Sequence, residues 1–195
     1  MKRALAVIAL AGVFLVAGPP SAQAHPLGNF TVNRLAEIVV APGRLTVAYA
    51  LDLAEIPAYQ TLRELAPDGS PTAATLQGWA DRTAEAIGRG LVLRLDGRRS
   101  LLEVHHAVAT VAPGQGGLET LRLDVRFGAT LPSTSGRLSF VDRNDPGRLG
   151  WREVVARGAD GMALVGSDVP TASVTDGLRT YPEDLLSAPL DVGSM

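Results

Sequence analysis

The sequence predicts a mainly β, antiparallel sandwich-like domain with a helical insertion around residues 55–88. Three observations predict it. Short apolar-alternating segments recur along the chain, Gly/Pro turn signals punctuate them, and only residues 55–88 switch to a helical period.

The first segment is a targeting signal. Lys2 and Arg3 precede an uncharged apolar run from Ala4 to Gly18, Pro19-Pro20 end it, and Ala22-Gln23-Ala24 offers small residues to a peptidase. These are the three parts of a secretory signal. The run is also shorter than the ~20 apolar residues a membrane span needs. The expectation is a signal peptide over 1–24, a mature chain starting at His25, an extracytoplasmic β-rich domain over 25–186, and a tail or linker over 187–195. The mature chain is then exported, either secreted or held at the outer face of the cytoplasmic membrane.

Phe30 to Val40 reads as a strand, Ala41-Pro42-Gly43-Arg44 as a turn, and Leu45 to Leu53 as the returning strand. Leu45, Val47, Tyr49, Leu51 and Leu53 share one face of that strand. Glu55 to Leu65 is a helix with Ile56, Tyr59, Leu62 and Leu65 as its stripe. Thr72 to Ile87 is a second helix, with Leu76, Trp79, Thr83 and Ile87 inward and Gly88 as its stop.

Strands resume at Leu91 to Leu95. Asp96-Gly97 marks a type I′ hairpin, and Leu101 to Val111 returns from it. Pro113 to Gly117 is a turn. Leu118 to Gly128 follows, with Leu121, Leu123, Val125 and Phe127 alternating against Arg122, Asp124 and Arg126, the mark of one buried and one wet face. Gly136 to Val141 is another strand. Trp151–Ala156 and Met162–Val165 are expected as a last hairpin.

Composition narrows the function classes. Removing residues 1–24 leaves 171 of 195 residues, enough for one packed domain. It also removes Lys2 and Arg3 and no acid, taking the net charge from −2 to −4. No basic patch of the kind nucleic acid demands is implied. The chain has no cysteine, which excludes disulfides, thiolate metal sites and cysteine nucleophiles. No G-x-S-x-G elbow, H-E-x-x-H or Walker loop is present, and no small-molecule substrate is indicated. The expectation is a protein that is not an enzyme.

His25-Pro26-Leu27-Gly28-Asn29-Phe30-Thr31-Val32-Asn33 directly follows the signal. This string resembles the start of the extracytoplasmic N-terminal region of bacterial nickel/cobalt transporters of the NicO, or high-affinity nickel permease, kind. Tyr49 to Pro57, Asp142 to Glu153 and Tyr181 to Asp191 are similar to later parts of that region, in the same order. The resemblance implies a context of nickel or cobalt transport and a multi-span membrane transporter component as partner. The family's His-x4-Asp-His selectivity motif belongs to its membrane part and does not occur here, so no transport residue carries over. A stand-alone partner, a split product and a truncated product all fit this pattern.

His25 is the candidate metal ligand. Cleavage after Ala24 would free its α-amine to chelate a metal together with ring Nδ1, while Pro26 has no amide N–H to add. Imidazole suits nickel and cobalt, and copper as well. The alternative is a His-Pro pair retained for processing or packing. His105 and His106 are adjacent on a strand, where regular alternation sets them on opposite faces. His106 then shares parity with Leu102, Val104 and Val108, and His105 with Glu103. Asp142, Asn144 and Asp145 form an oxygen-rich cluster that reads as a polar turn before a partial calcium loop, with Arg148 and Trp151 against it as a corner. The rival function is a secreted β-sandwich interaction module without metal.

Overall fold

The computed structural model describes residues 26–186 and 188–195. The expected signal segment 1–24 and the candidate ligand His25 lie outside the described residues. The strands are β1 (Val32–Ala41), β2 (Arg44–Leu53), β3 (Leu91–Leu95), β4 (Arg98–Ser100), β5 (Glu103–Pro113), β6 (Glu119–Thr130), β7 (Leu138–Asp142) and β8 (Arg152–Gly158). Two helices, α1 (Glu55–Leu65) and α2 (Ala73–Gly90), fill the connection between β2 and β3. The large sheet runs β5-β6-β2-β1-β8 and the small one β4-β3-β7. The protein is mainly β and sandwich-like, with the helical insertion where the sequence puts it.

The β1–β2 hairpin turns at Pro42-Gly43, with Gly43 at φ +74° and Ala41 opposite Arg44. Leu45, Val47, Tyr49, Leu51 and Leu53 are all buried on one face of β2. Leu121, Leu123, Val125 and Phe127 of β6 join them, and α1, α2 and the small sheet cover that face. Burying each such large side chain contributes about 1.5–3 kcal/mol.

Helix α1 is rolled from its expected stripe. Ala58 and Leu62 face the core, while Tyr59 is 47% exposed. Its first turn is held by the preceding chain: Ile56 N–H donates to the Asn29 carbonyl and Ala54 N–H to that of Thr31. Helix α2 is capped by Thr72, whose Oγ1 accepts from Thr75 N–H. It does not stop at Gly88 but continues to Gly90. A Cβ on Gly88 would lie 3.1 Å from Cε1 of buried Phe127, so this glycine serves close packing rather than termination.

Asp96 and Gly97 both adopt positive φ, +50° and +79°, at the β3–β4 turn. The strand that returns from this turn is β4 (Arg98–Ser100), paired with β3 in the small sheet. The segment 101–111, expected to return there, instead forms β5 and belongs to the large sheet. The expected last hairpin does not form. β8 pairs in parallel with β1, from Arg34↔Arg152 to Val40↔Gly158, and residues 162–165 are not a strand. The cause is competition for one edge. β1 takes one edge of β8, and the other, which a hairpin would need, is bonded by Pro170, Leu190 and Val192, while the chain after Gly158 turns away, with Met162 N–H bonded to the Ala159 carbonyl.

Residues 171–186, where periodicity fades, cross the outer face of the large sheet. Leu178 is buried there against Leu35, Ala50, Trp151 and Val155, with Tyr181 and Leu185 packed beside them. Residues expected as a tail or linker are tied into the sheets. Met195 exchanges backbone hydrogen bonds with Phe140 of β7, and Asp142 N–H donates to Gly193. Arg152 of β8 donates to the Leu190 carbonyl and accepts from Val192.

Candidate functional site

The four segments that carry the resemblance meet at one corner of the large sheet. Asn33 of β1 accepts the Trp151 N–H at 2.9 Å through Oδ1. Its Nδ2 reaches Asp52 Oδ2 of β2 at 3.5 Å, and Tyr181 Oη donates to the same oxygen at 3.5 Å. The Tyr181 and Trp151 rings meet edge to face, with centroids 5.6 Å apart. Leu27, two residues beyond His25, packs against this cluster.

Beneath the corner lies Glu153, 3% exposed. Its Oε2 accepts from Trp151 Nε1 at 3.0 Å and from Thr175 Oγ1 at 2.8 Å, and Oε1 accepts from Val174 N–H at 2.8 Å. Thr175 in turn accepts the Leu178 N–H on Oγ1 and those of Arg179 and Thr180 on its carbonyl. The carboxylate thereby fastens the crossing segment to the sheet. Burial, followed by the Asp52 charge, pushes the Tyr181 hydroxyl well above its ordinary pKa. The chain reaches this corner past Gly150, at φ +147°, where a Cβ would fall 2.3 Å from the Val32 carbonyl oxygen.

On the core side of β1 a second polar group surrounds Asp142. Tyr49 Oη donates to its Oδ2 at 2.8 Å, while Asn144 donates to Oδ1 from its backbone at 2.9 Å and from Nδ2 at 2.7 Å. Arg34, 2% exposed, bonds the Asn144 and Asp145 carbonyls and lies 3.7 Å from the Asp145 carboxylate. The oxygens expected as a polar turn do form one, with both Asp142 carboxylate oxygens bonded within the protein and Asp145 half-exposed beside Arg34. The cation at this corner is Arg34 rather than Arg148, and the Trp151 indole sits at the Glu153 corner. Burial first, then the Asp142 charge, raises the Tyr49 pKa well above its ordinary value.

His105 is exposed, as its parity with Glu103 predicts. His106 departs from the core-facing parity it shares with Leu102, Val104 and Val108: it too is exposed. Ala107, Ala109 and Val111 supply the buried parity of β5 instead. His106 lines a shallow groove of about 230 Å³ on the outer face with Arg122, Asp124, Arg126 and Arg179. There Arg122 chelates Asp124 through Nε and Nη2 at 2.8–3.0 Å. Burial lowers the Arg122 pKa, but its hydrogen bonds and charge pairing with Asp124 outweigh that and hold the guanidinium above its usual range. Among the described residues no three His, Asp or Glu side chains stand together as a metal group. No helix among the described residues is long and apolar enough to cross a membrane.

An open groove of about 820 Å³ lies where the two sheets part. Leu95, Leu131, Met162 and Met195 contribute apolar surface, and Ser133 to Ser135 line it alongside them.

Sequence reasoning did not single out Asn33, Asp52, Glu153 or Thr175 as partners. A signal existed: Asn33 and Asp52 interrupt apolar strands on the face opposite the β2 stripe. No family model, no curated protein and no solved structure matches the chain.

Proposed function

We propose that this is a non-enzymatic extracytoplasmic domain associated with nickel or cobalt transport, which takes the ion as cargo through the α-amine and imidazole of an N-terminal His25. The observation that carries this reading is convergence. Asn33, Asp52, Trp151 and Tyr181 come one from each of the four resembling segments, and they join at a single corner. Leu27 packs at that same corner. A transport component in the membrane is the matching partner.

The test is calorimetric titration of Ni²⁺ and Co²⁺ into the exported protein with its native N-terminus and into His25→Ala. The expected result is loss of the tightest equivalent in the variant. Identical isotherms, or no binding by either protein, overturn the proposal.

The 820 Å³ groove favours a second reading, a secreted interaction module without metal. Partner capture that survives exhaustive chelation and is lost on filling the groove with Ser135→Trp supports that reading over the first.

A further inference from the structure

We propose that His105 and His106 form a second divalent-metal site, created on the outer face of the large sheet by a bulge in β5. In a regular strand, adjacent side chains point to opposite faces and two neighbouring histidines cannot share an ion. A bulge sets two residues against one and breaks that alternation.

The register shows the break. Glu103 pairs with Gly128 and Val104 with Phe127, and the next pairs are His106 with Arg126 and Ala107 with Val125. His105 is the extra residue. On β6, Phe127 and Val125 are buried in the core, and Arg126 and Gly128 alternate with them on the outer face. His106, opposite Arg126, lines the outer groove. The His105 ring lies over Gly128: a Cβ there would be 2.3 Å from its Cε1 and 2.7 Å from its Nε2. Two successive imidazoles, on Cα atoms about 3.8 Å apart, therefore stand exposed on one face.

Neutral imidazole suits Ni²⁺, Cu²⁺ and Zn²⁺. The surrounding charge is close to balanced. Glu103 precedes the pair on the same face, Arg126 lies opposite His106, and Asp124 is occupied by Arg122. No third protein donor is already in place among the described residues. The ion takes two nitrogens and completes its shell with water, which makes this an exchangeable surface site.

The site is independent of the N-terminal reading, so the experiment uses the exported protein carrying His25→Ala. Ni²⁺ is titrated by calorimetry, with ¹H–¹⁵N spectra recorded alongside. One equivalent is expected, with paramagnetic broadening centred on residues 103–107 and 126–128. His105→Ala and His106→Ala should each weaken binding by about tenfold or more, because each removes one of only two ligands. Gly128→Ala retains both imidazoles but displaces the His105 ring, and should weaken it as well. Absence of binding overturns the proposal. So does unchanged affinity in either single histidine variant, which would mean that each ring binds alone.

Discussion

Trp151 donates its indole N–H to Glu153 Oε2 at 3.0 Å, two residues along the chain. Trp151 stands just before β8 and Glu153 within it, and both are buried on the outer side of the sheet. The same carboxylate receives Thr175 Oγ1 and Val174 N–H. Removing it leaves the buried Trp151 indole N–H without its acceptor and takes one partner each from Thr175 Oγ1 and Val174 N–H. Glu153→Ala should therefore cost about 2–3 kcal/mol in urea unfolding. Glu153→Gln, which keeps one acceptor oxygen, should cost less. Amide exchange at Val174 and Leu178 should accelerate in both.

The buried tyrosines give an alkaline limit. Tyr49 and Tyr181 have pKa values raised in the folded state, chiefly by burial. In the unfolded chain a tyrosine ionises near pH 10. Above that pH the unfolded state binds fewer protons than the native state, so stability falls as pH rises. The slope should approach about 1.4 kcal/mol per pH unit for each tyrosine. Denaturant melts at pH 8 and pH 11 measure it, and the Tyr49→Phe/Tyr181→Phe pair should flatten the loss.

Gly150 tests a close approach. Any Cβ there meets the Val32 backbone at 2.3 Å while φ is +147°. Gly150→Ala should destabilise by more than about 2 kcal/mol, read as a lowered urea midpoint. Gly88→Ala should show the opposing balance. It gains about 1 kcal/mol of helix propensity, yet its new methyl presses on Phe127, which is fully buried and edge-on to Tyr49. The net change should be destabilising, since a packed ring has no room to retreat.

The C-terminal residues should be structural. Deleting 190–195 removes the bonds to Phe140, Asp142 and Arg152 and bares the β7 edge. A lower melting temperature and a rise in light scattering are expected, because an unpaired edge invites association.

Much of this fold was legible in the chain. The β2 stripe, the Asp96-Gly97 turn and the alternation of β6 are local patterns, and local patterns survive folding. What escaped reading depends on residues far apart in sequence. His105 and His106 lie on the same face because a bulge falls between the Val104–Phe127 and His106–Arg126 pairs, and nothing within Glu103–Pro113 announces that. The plausible local hairpin after β8 does not form because Pro170, Leu190 and Val192, distant in sequence, take the β8 edge it would have used. The Glu153 corner went unread for the same reason: Thr175 and Trp151 acquire their roles only once the crossing segment lies down. His25 remains a reading from sequence and chemistry, outside the described residues.

The position of β1 between β2 and β8 has a kinetic consequence. One side of β1 is satisfied at once by a hairpin, but the other waits for a strand whose pairing begins with Arg34 and Arg152. Until residues 152–158 are present, the central sheet has an open flank and the Trp151–Leu178 cluster has no members from the second half of the chain. Closure over so long a separation is slow relative to hairpin formation. A partial chain is thus denied its most stabilising arrangement. The five-stranded sheet closes only once the chain through Gly158 can pair with β1.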